Sequence, residues 1–212
     1  MSVTIYSAQV TGLDAQPIAV EVDISPGLHI FSIVGLADKE VQESRERISA
    51  AIRNLGALAP HKKSQRVIVN LAPADIKTEG PAFDLPISIG YLLASSQISF
   101  DPSKMLFLGE LGLDGALRKI SGVLPIVLSA RAAGFQSIIL PQGNGQEAAL
   151  VEGIEVREAA NLYELVEHLS GRKSIPALSQ TNFTQAKEHF PLFDFKEIKG
   201  QESAKLALEI AA

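Results

Sequence analysis

Three β-type runs crowd the first 35 residues, and this opening constrains the fold more than anything after it. Residues 3–10 (VTIYSAQV) alternate in part, 17–24 (PIAVEVDI) are rich in β-branched side chains, and 28–34 (LHIFSIV) alternate apolar with other residues. Turn signals at Gly12–Asp14 and Pro26–Gly27 separate them, which predicts three short antiparallel strands in a meander. Such a sheet has an apolar face to cover, and a helix follows at once. Asp38 is placed as its N-cap and Gly56 just past its end. Val41, Ile48, Ala51, Ile52 and Leu55 fall on one helical face, and Arg45, Arg47 and Arg53 are expected in solvent.

Helix and strand periods then alternate. Residues 66–71 (RVIVNL) read as a buried strand, followed by the loop LAPADIKTEGPAFD. Residues 84–95 read as a helix with Asp84 as N-cap and Pro86 in the first turn, where proline is tolerated. Met105–Glu110 and Leu117–Ile120 read as strands around a turn at Leu113-Asp114-Gly115. A helix over 123–133 ends at Gly134. Ser137–Leu140 and Ile154–Arg157 read as strands, Gln146–Leu150 as a short helix, and Asn161–Leu169 as a helix capped by Asn161. This order predicts an α+β (mixed α/β) fold, with helices packed on a mixed sheet.

After Ser170 the period dissolves into a polar stretch suited to a linker. An apolar helix then begins near Gln201 and reaches Ala212 with no glycine or proline to stop it, so it is expected to continue in a longer protein.

Composition narrows the chemistry. The chain has no cysteine, which excludes disulfides, thiolate catalysis and cysteine zinc sites within it. The start, MSVTIYSAQV, lacks the basic and apolar regions of a signal peptide, and no run of about 18 apolar residues is long enough to cross a membrane. A cytoplasmic location is the expectation. The net charge of −5 argues on average against nucleic-acid binding. A local basic group is nevertheless present: Lys62, Lys63 and Arg66 precede a strand, and Arg45, Arg47 and Arg53 lie on the neighbouring helix. These six are candidates for phosphate contact with DNA, although no aromatic residue is interleaved among them to stack on bases.

Three long segments carry a family resemblance. They are YSAQVTGLDAQPIAVEVDISPGLHIFSIVGLADKEVQESRERISAAIRNLG, VIVNLAPADIKTEGPAFDLPISIGYLL and FLGELGLDGALRKISGVLPIVLSARAAGFQSIILP. In order and spacing they resemble the N-terminal domain of the ComM/YifB (Mg-chelatase-like) AAA+ ATPases. The resemblance implies a Lon-protease-like domain over 1–169, a linker over 170–190, and the opening of an AAA+ module over 191–212. It also implies a DNA-handling motor, hexameric in its full length, that promotes branch migration in natural transformation.

Active Lon-like proteases pair a serine nucleophile with a desolvated lysine base. The resemblance places the serine after Gly-Pro, where this chain has Gly80-Pro81-Ala82, and the lysine in a segment matching Ser121-Gly122-Val123-Leu124-Pro125. Ala82 and Leu124 therefore stand at the two catalytic positions, and neither side chain can attack a carbonyl or accept a proton. No catalytic residue is expected in this chain. The phosphate-binding loop G-x-x-x-x-G-K-[ST] is absent too, so no cofactor is expected here, and ATP and Mg²⁺ are implied only for the full-length protein. Of the adenine side, Ile198 and Gln201 could contribute only a wall.

Competing sites are weaker. Lys119 and Ser121 are two apart and would merely share a strand face. His29, His61, His168 and His189 show no metal-ligand spacing. Asp75 is read as a turn residue, with acid–base work beside Glu79 a remote option, and Asp84 as a helix cap. Two other functions stay open: a degenerate or atypical ATP-dependent peptidase, and a magnesium-chelatase-type subunit.

Overall fold

The computed structural model describes residues 2–179 and 197–211, which fall into two compact units. His189, most of the linker expected over 170–190 and the first residues of the expected AAA+ opening lie outside the described residues.

The first unit is a seven-stranded mixed sheet with helices on both faces, so the fold is α+β as the periods predict. Strand β1 (Ser2–Thr11) and β2 (Asp14–Pro26) form a hairpin whose register closes at Thr11 and Asp14. Gly12, at φ +66°, supplies the positive φ that so tight a connection needs.

The expected meander ends there. Strand β3 (Ile30–Val34) does not pair with β2. Strand β4 (Gln65–Ala72) lies between them, antiparallel to β2 and parallel to β3. The cause is helix α1 (Lys39–Asn54), which is long enough to be the crossover that a parallel pair requires. Val67, Val69 and Leu71 on β4 are fully buried, whereas β3 leaves Ile30 and Val34 partly in solvent, as an edge strand can.

Helix α2 (Asp84–Ala94) is buried on nearly every side and packs across β1 and β2. The strand expected over Met105–Glu110 is split. Strand β5 (Met105–Phe107) joins the main sheet parallel to β1, and β6 (Glu110–Leu111) pairs instead with β7 (Leu117–Arg118) in a separate ribbon. Gly109 makes the break: its N–H donates to Ala82 O (2.9 Å), and its carbonyl accepts from Leu85 N (3.0 Å). Helix α3 (Val123–Ala132), strand β8 (Ser137–Pro141), helix α4 (Gly145–Ala148), strand β9 (Glu155–Ala159) and helix α5 (Leu162–Leu169) complete the unit. The strand order is β3-β4-β2-β1-β5-β8-β9.

Alternation along the strands divides the core in two. Ile5, Val67, Val69 and Phe107 face α1 and α2 in one cluster, and Ala8, Leu106, Leu108 and Ile138 face α3 and α4 in the other. Among the described residues no helix is long and apolar enough to cross a membrane.

The second unit holds helix α6 (Glu202–Ala211). Gly200 and Gln201, both at positive φ, precede it, and the Gln201 carbonyl accepts from Ala204 and Lys205 (3.0 Å each).

Candidate functional site

The loop between β4 and α2 is fixed from three sides. Asp38 caps α1 through Oδ1, which accepts from Val41 N (2.8 Å), and its Oδ2 accepts from Gly80 N (3.1 Å). Gln9 Oε1 accepts from Glu79 N (2.9 Å). Thr78 N donates to Leu36 O (3.1 Å), and Asp38 N donates to Thr78 O (3.0 Å). Gly80 sits at φ 80°, ψ 169°, a conformation essentially restricted to glycine. Pro81 and Ala82 then lead through a single 3-10 turn (Pro81–Phe83) into α2.

Ala82 is half-buried and packs on the cluster beneath α3. So do Leu124, Ile120 and Val10. A Cβ at Gly122 would meet Val10 Cγ2 at 2.9 Å, so glycine lets the entry to α3 press against β1. Leu124 N donates to Glu147 Oε1 (2.9 Å). The fold thus brings Ala82 and Leu124 onto one apolar cluster, with no hydroxyl, amine or imidazole supplied by either. Lys119 and Ser121 are both exposed and lie outside the strand that would have aligned them.

A cleft of about 540 Å³ opens beside this loop, lined by Gln9, Val10, Gln16, Asp75, Lys77 and Glu79 among others. Val10 is common to the cleft wall and to the cluster under Ala82 and Leu124. Asp75 stands in a turn, and Lys77 pairs with Glu79, which holds the lysine charged more firmly than usual.

Asp84 is not the cap that the sequence predicts. The 3-10 turn runs directly into α2, so Phe83 takes the N-cap position and Asp84 is already helical and fully buried. Its carboxylate accepts from Arg47 Nε (2.7 Å) and Nη2 (3.0 Å) and from Leu111 N (3.1 Å). Burial pushes this carboxyl up to about 6, against the pull of Arg47 and the Leu111 N–H. Arg47 is shifted up, chiefly by its hydrogen bond to Asp84 and against its own partial burial. The two shifts lean in opposite directions for the pair, and desolvation of the carboxyl decides: the pair is charged at neutral pH and loses its anion on mild acidification.

The six basic candidates do not form one patch. Arg47 is withdrawn from solvent to Asp84, correcting its assignment to a solvated face. Arg66 alternates with Val67, which faces α1, so it points to the opposite side of the sheet. Arg45 and Arg53 remain together. They line a cleft of about 570 Å³ between β3 and α1, with Phe31, His29, His61 and Glu46 also in its walls. Lys62 and Lys63 are exposed at the adjoining turn Pro60–Lys62 and its end. Phe31 escapes a sequence reading because only the fold places β3 beside α1. Among the described residues no group of three or more His, Asp and Glu side chains gathers to hold a metal. Ile198 and Gln201, in the second unit, are both exposed.

Comparison with known proteins places this architecture. The family described as subunit ChlI of Mg-chelatase matches residues 20–144. The chain is 38% identical to competence protein ComM of Haemophilus influenzae, covering 98% of this chain and 41% of that protein. It is 36% identical to the protein YifB of Escherichia coli, covering 98% and 40% respectively. It is 27% identical to Lon protease 2 of Bacillus subtilis over 59% of this chain and 22% of that protein. The chain belongs to the Mg-chelatase-like family of ComM and YifB. It spans about two fifths of the length of those two relatives.

Proposed function

We propose that this chain is a non-catalytic, Lon-protease-like accessory domain of a cytoplasmic AAA+ ATPase that handles DNA, as a ComM-type helicase or branch-migration motor would. One observation carries the reading. Ala82 and Leu124, which the resemblance sets where a Lon-like site needs a hydroxyl and an amine, both pack against one apolar cluster. A nucleophile must lose a proton to a neighbouring base, and neither partner exists here. ATP hydrolysis and its Mg²⁺ belong, in this reading, to the remaining three fifths of a ComM-length protein. Nucleotide needs backbone N–H groups, a lysine and a hydroxyl around its phosphates. The residues present do not fit that demand: Ile198 and Gln201 offer a wall and no cradle. Assembly of the full-length protein into a homo-hexamer is part of the same proposal.

A peptidase reading has one observation in its favour, the polar cleft beside the loop that leads to Ala82, in a chain similar to Lon protease 2. Release of label from fluorescent casein separates the two. The accessory reading expects no turnover above a buffer blank, and turnover abolished by substituting a serine or lysine of this chain would overturn it. Forked DNA tests the other half. Binding that weakens steeply with salt reports phosphate contacts, and no binding at low salt would leave the domain a scaffold for protein partners.

A further inference from the structure

We propose that the cleft between β3 and α1 binds single-stranded nucleic acid, with Arg45 and Arg53 on the phosphodiester and Phe31 as a stacking face for a base. This rests on the DNA-handling reading and narrows it to one strand form and one site.

Three features of the cleft carry the inference. The first is charge. Arg45 is turned across the cleft: its Nε donates to Gln42 O (3.0 Å) and its Nη1 to Phe31 O (3.3 Å). Arg53, in the last turn of α1, is exposed, and its side chain has no hydrogen bond or ion pair among the described residues. Among the described residues Glu46 is the single carboxylate in the lining. Lys62 and Lys63 extend the positive rim without entering it. An anionic backbone is the complement of this arrangement.

The second is the aromatic wall. Phe31 is half-buried against the core and lines the cleft, and the rings of His29 and His61 stand in the same walls. Cations beside aromatic faces are the pairing that sequence-tolerant single-strand binding uses. An isolated phosphate would have no use for the ring.

The third is shape. A cleft of about 570 Å³ is concave and of the size of a small-ligand pocket. Duplex readers insert a protruding helix or ribbon into a groove, and a recess cannot do that. A recess can receive a base splayed from a single strand.

The test uses the 212-residue chain and a fluorescein-labelled 12-mer of deoxythymidine, read by anisotropy across a salt series. Phe31→Leu keeps an apolar side chain on the core and is expected to weaken binding on the order of tenfold. It should leave affinity for an abasic 12-mer unchanged. Arg53→Gln is expected to flatten the slope of log affinity against log salt by about 0.7, one phosphate contact on a single strand. Thermal melts confirm that each variant is folded, and Arg53→Gln, at an exposed position, keeps the test open should Phe31→Leu lose stability. If the wild-type chain binds the 12-mer and both folded variants bind it equally well, the cleft is the wrong site while DNA handling stands. If a blunt-ended duplex or a glutamate-rich peptide displaces the 12-mer as effectively as unlabelled 12-mer does, the single-strand assignment is overturned. No wild-type binding at low salt overturns the cleft and leaves DNA contact to the rest of a ComM-length protein.

Discussion

Arg47 on α1 reaches the buried carboxylate of Asp84 at the start of α2 with two hydrogen bonds, of 2.7 and 3.0 Å, and so ties the crossover helix to the helix at the centre of the fold. A third bond, from Leu111 N, adds the β6–β7 ribbon to the same joint. Removing the acid strands a guanidinium that is only 21% exposed. Asp84→Ala is therefore expected to cost about 3 kcal/mol in urea unfolding, the usual scale for breaking a buried pair from one side.

The same joint titrates. Asp84 is pushed up to about 6 from 3.8, so between those values the folded state holds a proton that the unfolded state has released. Stability owed to this group is fully present below about pH 4 and is lost as pH rises through about 6. Asp84→Asn cannot titrate and serves as the reference. The stability of the wild type minus that of Asp84→Asn should fall by roughly 2–3 kcal/mol between pH 4 and 7. A flat or rising difference would mean that Arg47 outweighs desolvation.

Asp38 divides its two oxygens between the α1 N-terminus and Gly80, so helix and loop depend on one side chain. Asp38→Ala should cost about 1–2 kcal/mol, the range for losing an N-cap together with a second acceptor. Asp38→Asn keeps one acceptor oxygen and should retain most of the cap. Its signature should be local: faster amide exchange at Gly80 with α1 protected. Equal loosening of both would show that the loop is held by other contacts.

Much of this arrangement is legible in sequence, for physical reasons. Asp38, Asn161 and Gly134 sit where caps belong because capping is local chemistry, readable within a few residues. The alternation of Val67, Val69 and Leu71 marks a strand with one face on the core. Pairing is not local. Nothing within residues 28–34 says that their partner is β4 and not β2. Asp84 misleads because an acid at a helix start is a capping signal, and only Arg47, brought by the crossover, turns it into a buried ion pair. The same crossover breaks the six-residue basic group apart and sets Phe31 beside Arg45. Ala82 and Leu124 are found by motif position alone, and their common apolar cluster follows from how β1 and α3 pack.

Gly90 marks the closest approach of α2 to the sheet. A Cβ there would lie 2.7 Å from Val22 Cγ2 and 3.4 Å from Ile5 Cγ1. Alanine would gain about 0.8–1 kcal/mol in helix propensity. It would also overpack a β-branched neighbour that has little rotamer freedom on a strand, at about 1–3 kcal/mol. The steric term wins, so Gly90→Ala should lower Tm by roughly 2–4 °C. Val22→Ala removes the obstructing methyl groups, and in that background the Gly90→Ala penalty should shrink or vanish. An equal penalty in both backgrounds would place the strain elsewhere.

His168 governs how the segment after α5 is held. Its Nδ1 accepts from Ile175 N (3.1 Å), while Arg157 donates to the Ile175 carbonyl. Leu178 N donates to Val156 O (2.8 Å), so the strand β9 and the segment are stitched at two places. Burial first, and then the positive Arg157, hold the imidazole below its ordinary value of 6.5. The sign follows from the depressed value. The contribution of neutral His168 is present above pH 6.5 and is lost as pH falls through the lower folded value. A protonated imidazole has no lone pair for the Ile175 N–H, and its charge faces Arg157. Amide exchange at Ile175, corrected for its intrinsic pH dependence, should therefore be slow at pH 8 and quicken as pH falls through the lowered folded value, with β9 still protected. His168→Ala should exchange quickly at pH 8 already. Protection at Ile175 in His168→Ala equal to that of the wild type at pH 8 would mean that the Leu178 and Arg157 bonds suffice to hold the segment without the imidazole.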